Sequence, residues 1–173
     1  EGGVNVADKA YVREVARICK EKDILLIFDE VQTGMGRTGE MFAFKHYGIK
    51  PDVMTLAKSL GGGFPIGAVV VGERLKSVLS AGSHASTFGG SPVVCAASLG
   101  VFEAIEKGKM LKNTVKMGQY LAKKLNDMKK EMSIIKEVRG IGLMIGVELN
   151  MDEAAVVADE CMNSGLLINC TQH

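Results

Sequence analysis

The sequence predicts an α/β fold, a mostly parallel sheet with flanking helices, continued by an α+β carboxyl-terminal part. Three observations predict it. The runs 24–28, 53–57 and 68–71 are apolar, or nearly so, on successive residues and rich in branched side chains, the mark of strands buried on both faces of a helix-covered sheet. Around them, apolar residues recur at helical spacing with charges between. The composition, 47% hydrophobic and 24% charged over 173 residues, is that of a folded globular chain.

The elements follow in order. From residue 7 to 22, Val12, Val15, Ile18 and Cys19 share one face, predicting an amphipathic lead-in helix. Strand 24–28 ends on Asp29. The next strand, 53–57, starts after Pro51-Asp52 and ends on Lys58, and the third, 68–71, is bracketed by Gly67 and Gly72. Ser91-Pro92 is a helix start, and the pattern runs on through Leu99, Phe102 and Ile105. It breaks at Lys107-Gly108-Lys109, and Leu111, Val115, Leu121, Leu125, Met128 and Met132 mark a second helix whose lysines form a solvated face. A Gly-punctuated strand region, 138–149, a helix from Asp152 ended by Gly165 and a strand at 166–168 complete the chain. A domain junction is expected near residue 106. The chain begins on Glu1-Gly2-Gly3 without Met and stops soon after an apolar run, which reads as a piece of something longer.

Several function classes are excluded. The formal charge is +1 with dispersed basic residues, aromatics are 5% and Trp is absent, so nucleic acid is not an expected partner. No apolar run approaches the roughly 20 residues of a membrane helix and the first residues lack the basic-then-apolar order of a signal peptide, so the cytosol is the expected compartment. Cys19, Cys95, Cys161 and Cys170 form no CxxC pair or ligand spacing, and no metal is expected.

The chemistry rests on Asp29 and Lys58. Alone, a carboxylate after a strand is a turn former and a strand-end lysine is a solvated one. Together, an amine and an acid delivered by two strand ends suit pyridoxal 5′-phosphate, the amine as Schiff-base former and the acid as partner of the ring nitrogen. Unit charges about 3 Å apart at an effective dielectric near 20 attract by roughly 5 to 6 kcal/mol, a gross ceiling that still keeps a pyridinium protonated after desolvation. Gly61-Gly62-Gly63 removes bulk beside Lys58. Ser86-Thr87-Phe88-Gly89-Gly90, just before the helix at Ser91-Pro92, suits phosphate, though a plain glycine turn fits nearly as well. Gly34-Met35-Gly36-Arg37-Thr38-Gly39 matches a dinucleotide fingerprint in letters only: Glu30 to Thr33 separate it from its strand, and Lys58, not an acid, ends the next. It reads as a mobile or tightly turned loop rimming the pocket. Arg139 reads as structural, and His46 and His84 as structural or loop residues.

Three motifs, Leu26-Ile27-Phe28-Asp29-Glu30-Val31-Gln32-Thr33-Gly34, Ala57-Lys58 before Gly61-Gly62-Gly63-Phe64-Pro65-Ile66-Gly67-Ala68, and Ser86-Thr87-Phe88-Gly89-Gly90-Ser91-Pro92, make the chain resemble the class III pyridoxal-phosphate aminotransferases of fold type I. The resemblance implies that residues 1–106 are the later part of the cofactor-binding large domain and 107–173 a truncated small domain. It implies Asp29 on the pyridine nitrogen, Glu30 within the same cofactor-binding run, Val31 packed on the ring, Gln32 on the phenolic oxygen and Lys58 as the covalent anchor. It implies Thr87 on the cofactor phosphate of a neighbouring subunit, hence a homodimer, with Ser86 near the amino substrate and Glu1 guarding a substrate-carboxylate arginine. The implied reaction is transamination between N-acetylornithine, or a related ω-amino donor, and 2-oxoglutarate, in arginine biosynthesis. Ornithine, succinylornithine and 4-aminobutyrate are alternative donors. A non-catalytic structural piece and a dehydrogenase are the rival classes.

Overall fold

A computed structural model describes residues 2–171. They divide into two compact units, Ala7–Thr114 and, among the described residues, 115–171 with 2–6.

The first unit opens with α1 (Lys9–Glu21), capped by Asp8, whose carboxylate accepts from the amides of Ala10 and Tyr11 at 2.8 and 3.0 Å. The strands are β1 (Ile27–Asp29), β2 (Val53–Leu56) and β3 (Ala68–Val71), in the order β1-β2-β3. The Asp52 carboxylate fixes the entry to the sheet by accepting from the Leu26 amide at 2.9 Å. β1 runs parallel to β2 with Asp29 opposite Thr55, while β3 returns antiparallel. Within the described residues the sheet is therefore mixed, with one parallel and one antiparallel pairing. The segment between β2 and β3 coils as a 3-10 turn and a glycine run, with no crossover helix of the kind a parallel return needs.

Burial corrects one expectation. Met54 and Leu56 are buried, but Ile27 and Val69 are 58% and 60% exposed. Side chains alternate across a strand, so the face carrying Met54 and Leu56 is covered and the face carrying Ile27, Thr55 and Val69 is open. The covered face packs with Met35, Leu60 and Ile105, flanked by Phe42, Phe44, Val101 and Leu111. Met35 is 7% and Thr38 5% exposed, so the glycine-rich segment after β1 is tightly turned, with Met35 in the core. α2 (Pro92–Lys107) and α3 (Met110–Glu131) meet at Lys109, whose φ of 53° makes the break. The boundary between the two units falls within α3.

In the second unit β4 (Ile135–Ile141) pairs antiparallel with β5 (Met144–Leu149), followed by α4 (Ala154–Asn163). Residues 2–6 join this unit: Arg139 Nε donates to the Gly3 carbonyl at 2.8 Å. The strand expected at 166–168 is absent, since those residues pair with no other strand and Leu167 is 82% exposed. A run of branched residues without a partner has nothing to complete its backbone hydrogen bonds as a strand.

Candidate functional site

Parallel pairing decides which residues can meet, because two parallel strands end on the same edge of a sheet. Asp29 is the last residue of β1, and Lys58 follows the end of β2 by one intervening residue. Both side chains are exposed at that edge, as ligands of α/β sheets require. Asp29 lies on the open face with Thr55, whose hydroxyl donates to Asp29 Oδ1 at 3.2 Å, and the Val31 amide donates to the same oxygen at 3.0 Å. Asp29 Oδ2 has no hydrogen-bond partner among the described residues.

Lys58 starts a 3-10 turn, Lys58–Gly61, with φ at 48°, a left-handed conformation that a lysine adopts at a cost of order 1 kcal/mol. The turn is held by Leu60 N donating to Ala57 O at 2.9 Å and by the burial of Leu60 at 4% exposure. Gly62 must be glycine on two counts, a φ of 59° and a position where a Cβ would lie 2.8 Å from Val101 Cγ2 of α2. The glycine run therefore lets α2 brace the lysine turn from behind. Lys58 Nζ makes no ion pair or hydrogen bond among the described residues.

Glu30 differs from its neighbours in the run. It is 1% exposed, and its Oε1 accepts from the Phe44 amide at 2.8 Å while Oε2 accepts from Ala43 N at 3.0 Å and Thr33 Oγ1 at 2.6 Å. Both oxygens are thus committed to the turn at Ala43–Tyr47, and Glu30 faces the core instead of the strand-end edge. Val31 is half-buried and Gln32 exposed in the turn that follows β1. Ser86 and Thr87 lie in an exposed loop before α2, where Ser86 O accepts from Gly89 N at 3.2 Å and no hydrogen bond joins them to Asp29 or Lys58. Glu1 lies outside the described residues.

The structural readings of other residues agree with the geometry. Arg139 spends its guanidinium on Gly3, Glu137 and Glu148, and His46 Nε2 lies 2.9 Å from Thr38 Oγ1. No group of His, Cys, Asp and Glu suited to a metal occurs among the described residues. Thr55 was not singled out by the sequence reading. Its only signal there is a lone hydroxyl in an apolar strand, and the register that sets it against Asp29 is not written in local sequence.

A lysine amine able to form a Schiff base and a carboxylate with one uncommitted oxygen sit on one strand-end edge, and they are the donor set that pyridoxal phosphate needs. Comparison with known proteins agrees: the family model described as aminotransferase class-III matches residues 1–173. The chain belongs to the class III aminotransferases. The acetylornithine aminotransferase of Methanocaldococcus jannaschii is 52% identical over 171 residues, covering 99% of this chain and 43% of that protein. The acetylornithine aminotransferase of Aquifex aeolicus is 47% identical over 171 residues, with 99% and 43% covered. Among solved structures, the ornithine aminotransferase of Plasmodium yoelii matches with a TM-score of 0.94 at 33% identity, covering 99% of this chain and 47% of that one. The acetylornithine aminotransferase of Elizabethkingia anophelis matches at 0.92 and 30%, with 99% and 44% covered. This class III aminotransferase chain spans less than half the length of the curated relatives it matches. No helix among the described residues is long and apolar enough to cross a membrane.

Proposed function

We propose that this chain is part of a fold type I, pyridoxal-phosphate-dependent aminotransferase that works as a cytosolic homodimer in arginine biosynthesis, moving an amino group from N-acetylornithine to 2-oxoglutarate. The observation that carries the reading is the shared edge of β1 and β2, which presents Asp29 and Lys58 together. Relatives named acetylornithine aminotransferase, at about half identity, support that donor. Solved neighbours named ornithine aminotransferase, at 33% to 35%, keep ornithine as the second reading. In this assignment residues 1–106 belong to the later part of the large domain and 107–173 to the small one, while the compact units divide at Thr114 within α3.

The residues divide the work. Lys58 Nζ would hold the cofactor covalently and, as a free amine, would take the proton from the donor's amino-bearing carbon. Asp29 Oδ2 would accept the hydrogen bond of the protonated ring nitrogen, with Val31 packing on the ring and Gln32 on its phenolic oxygen. Thr87 reaches the phosphate of the partner subunit's site, and Ser86 lies near its amino substrate. Glu1 guards the arginine that holds a substrate carboxylate. When bound, the pyridinium ring is the sink for the electron pair that this deprotonation releases.

Borohydride reduction of the whole protein with pyridoxal phosphate tests the anchor. A pyridoxyl group fixed to Lys58, lost in Lys58→Ala along with turnover while the fold persists, is the expected result, and turnover retained by Lys58→Ala refutes it. A donor panel ranked by kcat/KM tests the substrate, and a preference for ornithine or 4-aminobutyrate overturns acetylornithine.

A further inference from the structure

We propose that Thr55 is a positioning residue, which locks the Asp29 carboxylate and registers it to the strand that carries Lys58. The inference rests on the cofactor reading above and deepens it. A carboxylate turns easily about its last side-chain bond, since torsions of this type have broad, roughly two-fold wells. The Val31 amide alone makes a local turn contact, two residues on in the same chain, that an aspartate after a strand commonly makes. Thr55 adds a donor from the neighbouring strand, at 3.2 Å and in direct register. With both donors on Oδ1, rotation is arrested and Oδ2 is the oxygen left to receive a ring N–H. Backbone pairing reinforces the arrangement, as Glu30 N donates to Thr55 O at 3.0 Å and continues the ladder one step past Asp29. Thr55 also stands three residues before Lys58 on the same strand and its exit. The acid that holds one end of the ring and the amine that holds the other are therefore fixed to one residue's position.

The hydroxyl is the part that matters, because valine fills the same space and suits a strand equally well. In the whole protein, Thr55→Val is expected to lower kcat about tenfold with KM for the donor changing less, the loss of one hydrogen bond to a charged acceptor. Thr55→Ser, which keeps the donor, restores most of it. A second readout is the dissociation constant of pyridoxal phosphate, from absorbance titration of the apoprotein. Thr55→Val weakens it severalfold in the parent and leaves it unchanged in an Asp29→Ala background, the coupling that a positioning role requires. Equal weakening in both backgrounds, or a valine variant indistinguishable from the parent, overturns the role of Thr55 alone. A parent protein that fixes no pyridoxyl group on Lys58 overturns the cofactor reading and this inference with it.

Discussion

Glu30 and Asp29 are adjacent acids, yet successive side chains of a strand point to opposite faces, and this parity separates their roles. Asp29 shares the open face with Thr55, and Glu30 follows Phe28 onto the covered one, where its carboxylate holds the Thr33 hydroxyl and two amides of the turn at Ala43–Tyr47. The carboxylate is a buried acceptor for three donors, so its removal strands them. Glu30→Ala is expected to lower unfolding stability by about 3 kcal/mol at constant denaturant slope, read as a drop in the urea midpoint. A loss below about 0.5 kcal/mol, the size of a surface substitution, would show that the clamp is idle. The sequence alone placed Glu30 with the cofactor because the run reads as one motif. Applying the period of two from Phe28 would have turned it inward. Lys58 is noticed for the opposite reason, since a lysine at a strand end, separated by two residues from a run of three glycines, needs no register to stand out.

Among the elements, the β4–β5 hairpin carries a charge cluster and a close helix contact that can be tested separately. The Glu148 carboxyl is held down to about 2 from the usual 4.5 by hydrogen bonds first from Lys136 and then from Arg139. A lowered folded value means that this support is complete above pH 4.5 and is lost as the pH falls toward 2. The urea midpoint should therefore fall more steeply across that window in the parent than in Glu148→Gln, and parallel curves would remove Glu148 from the hairpin's support. On the helix side, a Cβ at Gly118 of α3 would lie 2.1 Å from the Gly142 carbonyl oxygen, so backbone must move to accept it. Gly118→Ala should cost about 3 kcal/mol, whereas Gly100→Ala in α2, with nothing within 4 Å, should be neutral or stabilising by up to about 1 kcal/mol. Thermal unfolding of the two variants side by side distinguishes contact from helix propensity. Helix periodicity revealed both helices in advance. The hairpin's internal pairing, and the absence of a strand at 166–168, depend on partners that no local pattern names.

For the molecule as a whole, the open face of the first sheet explains why its strands were expected to be more buried than they are. Ile27 and Val69 are of the residue types usually covered, yet they are 58% and 60% exposed, in a chain that spans less than half the length of its curated relatives. The loop of Ser86 and Thr87 is similarly exposed, with Phe88 at 86%, and the homodimer reading assigns Thr87 to the other subunit's cofactor phosphate. Mixed dimers separate that assignment from one in which Thr87 serves its own subunit. Let Lys58→Ala subunits be combined with Thr87→Ala subunits, each homodimer being inactive or nearly so. If Thr87 acts across a two-fold interface, one site of the mixed dimer receives both altered residues and the other receives Lys58 and Thr87 intact. Turnover should then reappear on mixing, at the level of one working site per dimer. If Thr87 acts within its own subunit, each site keeps one defect, and mixing restores nothing.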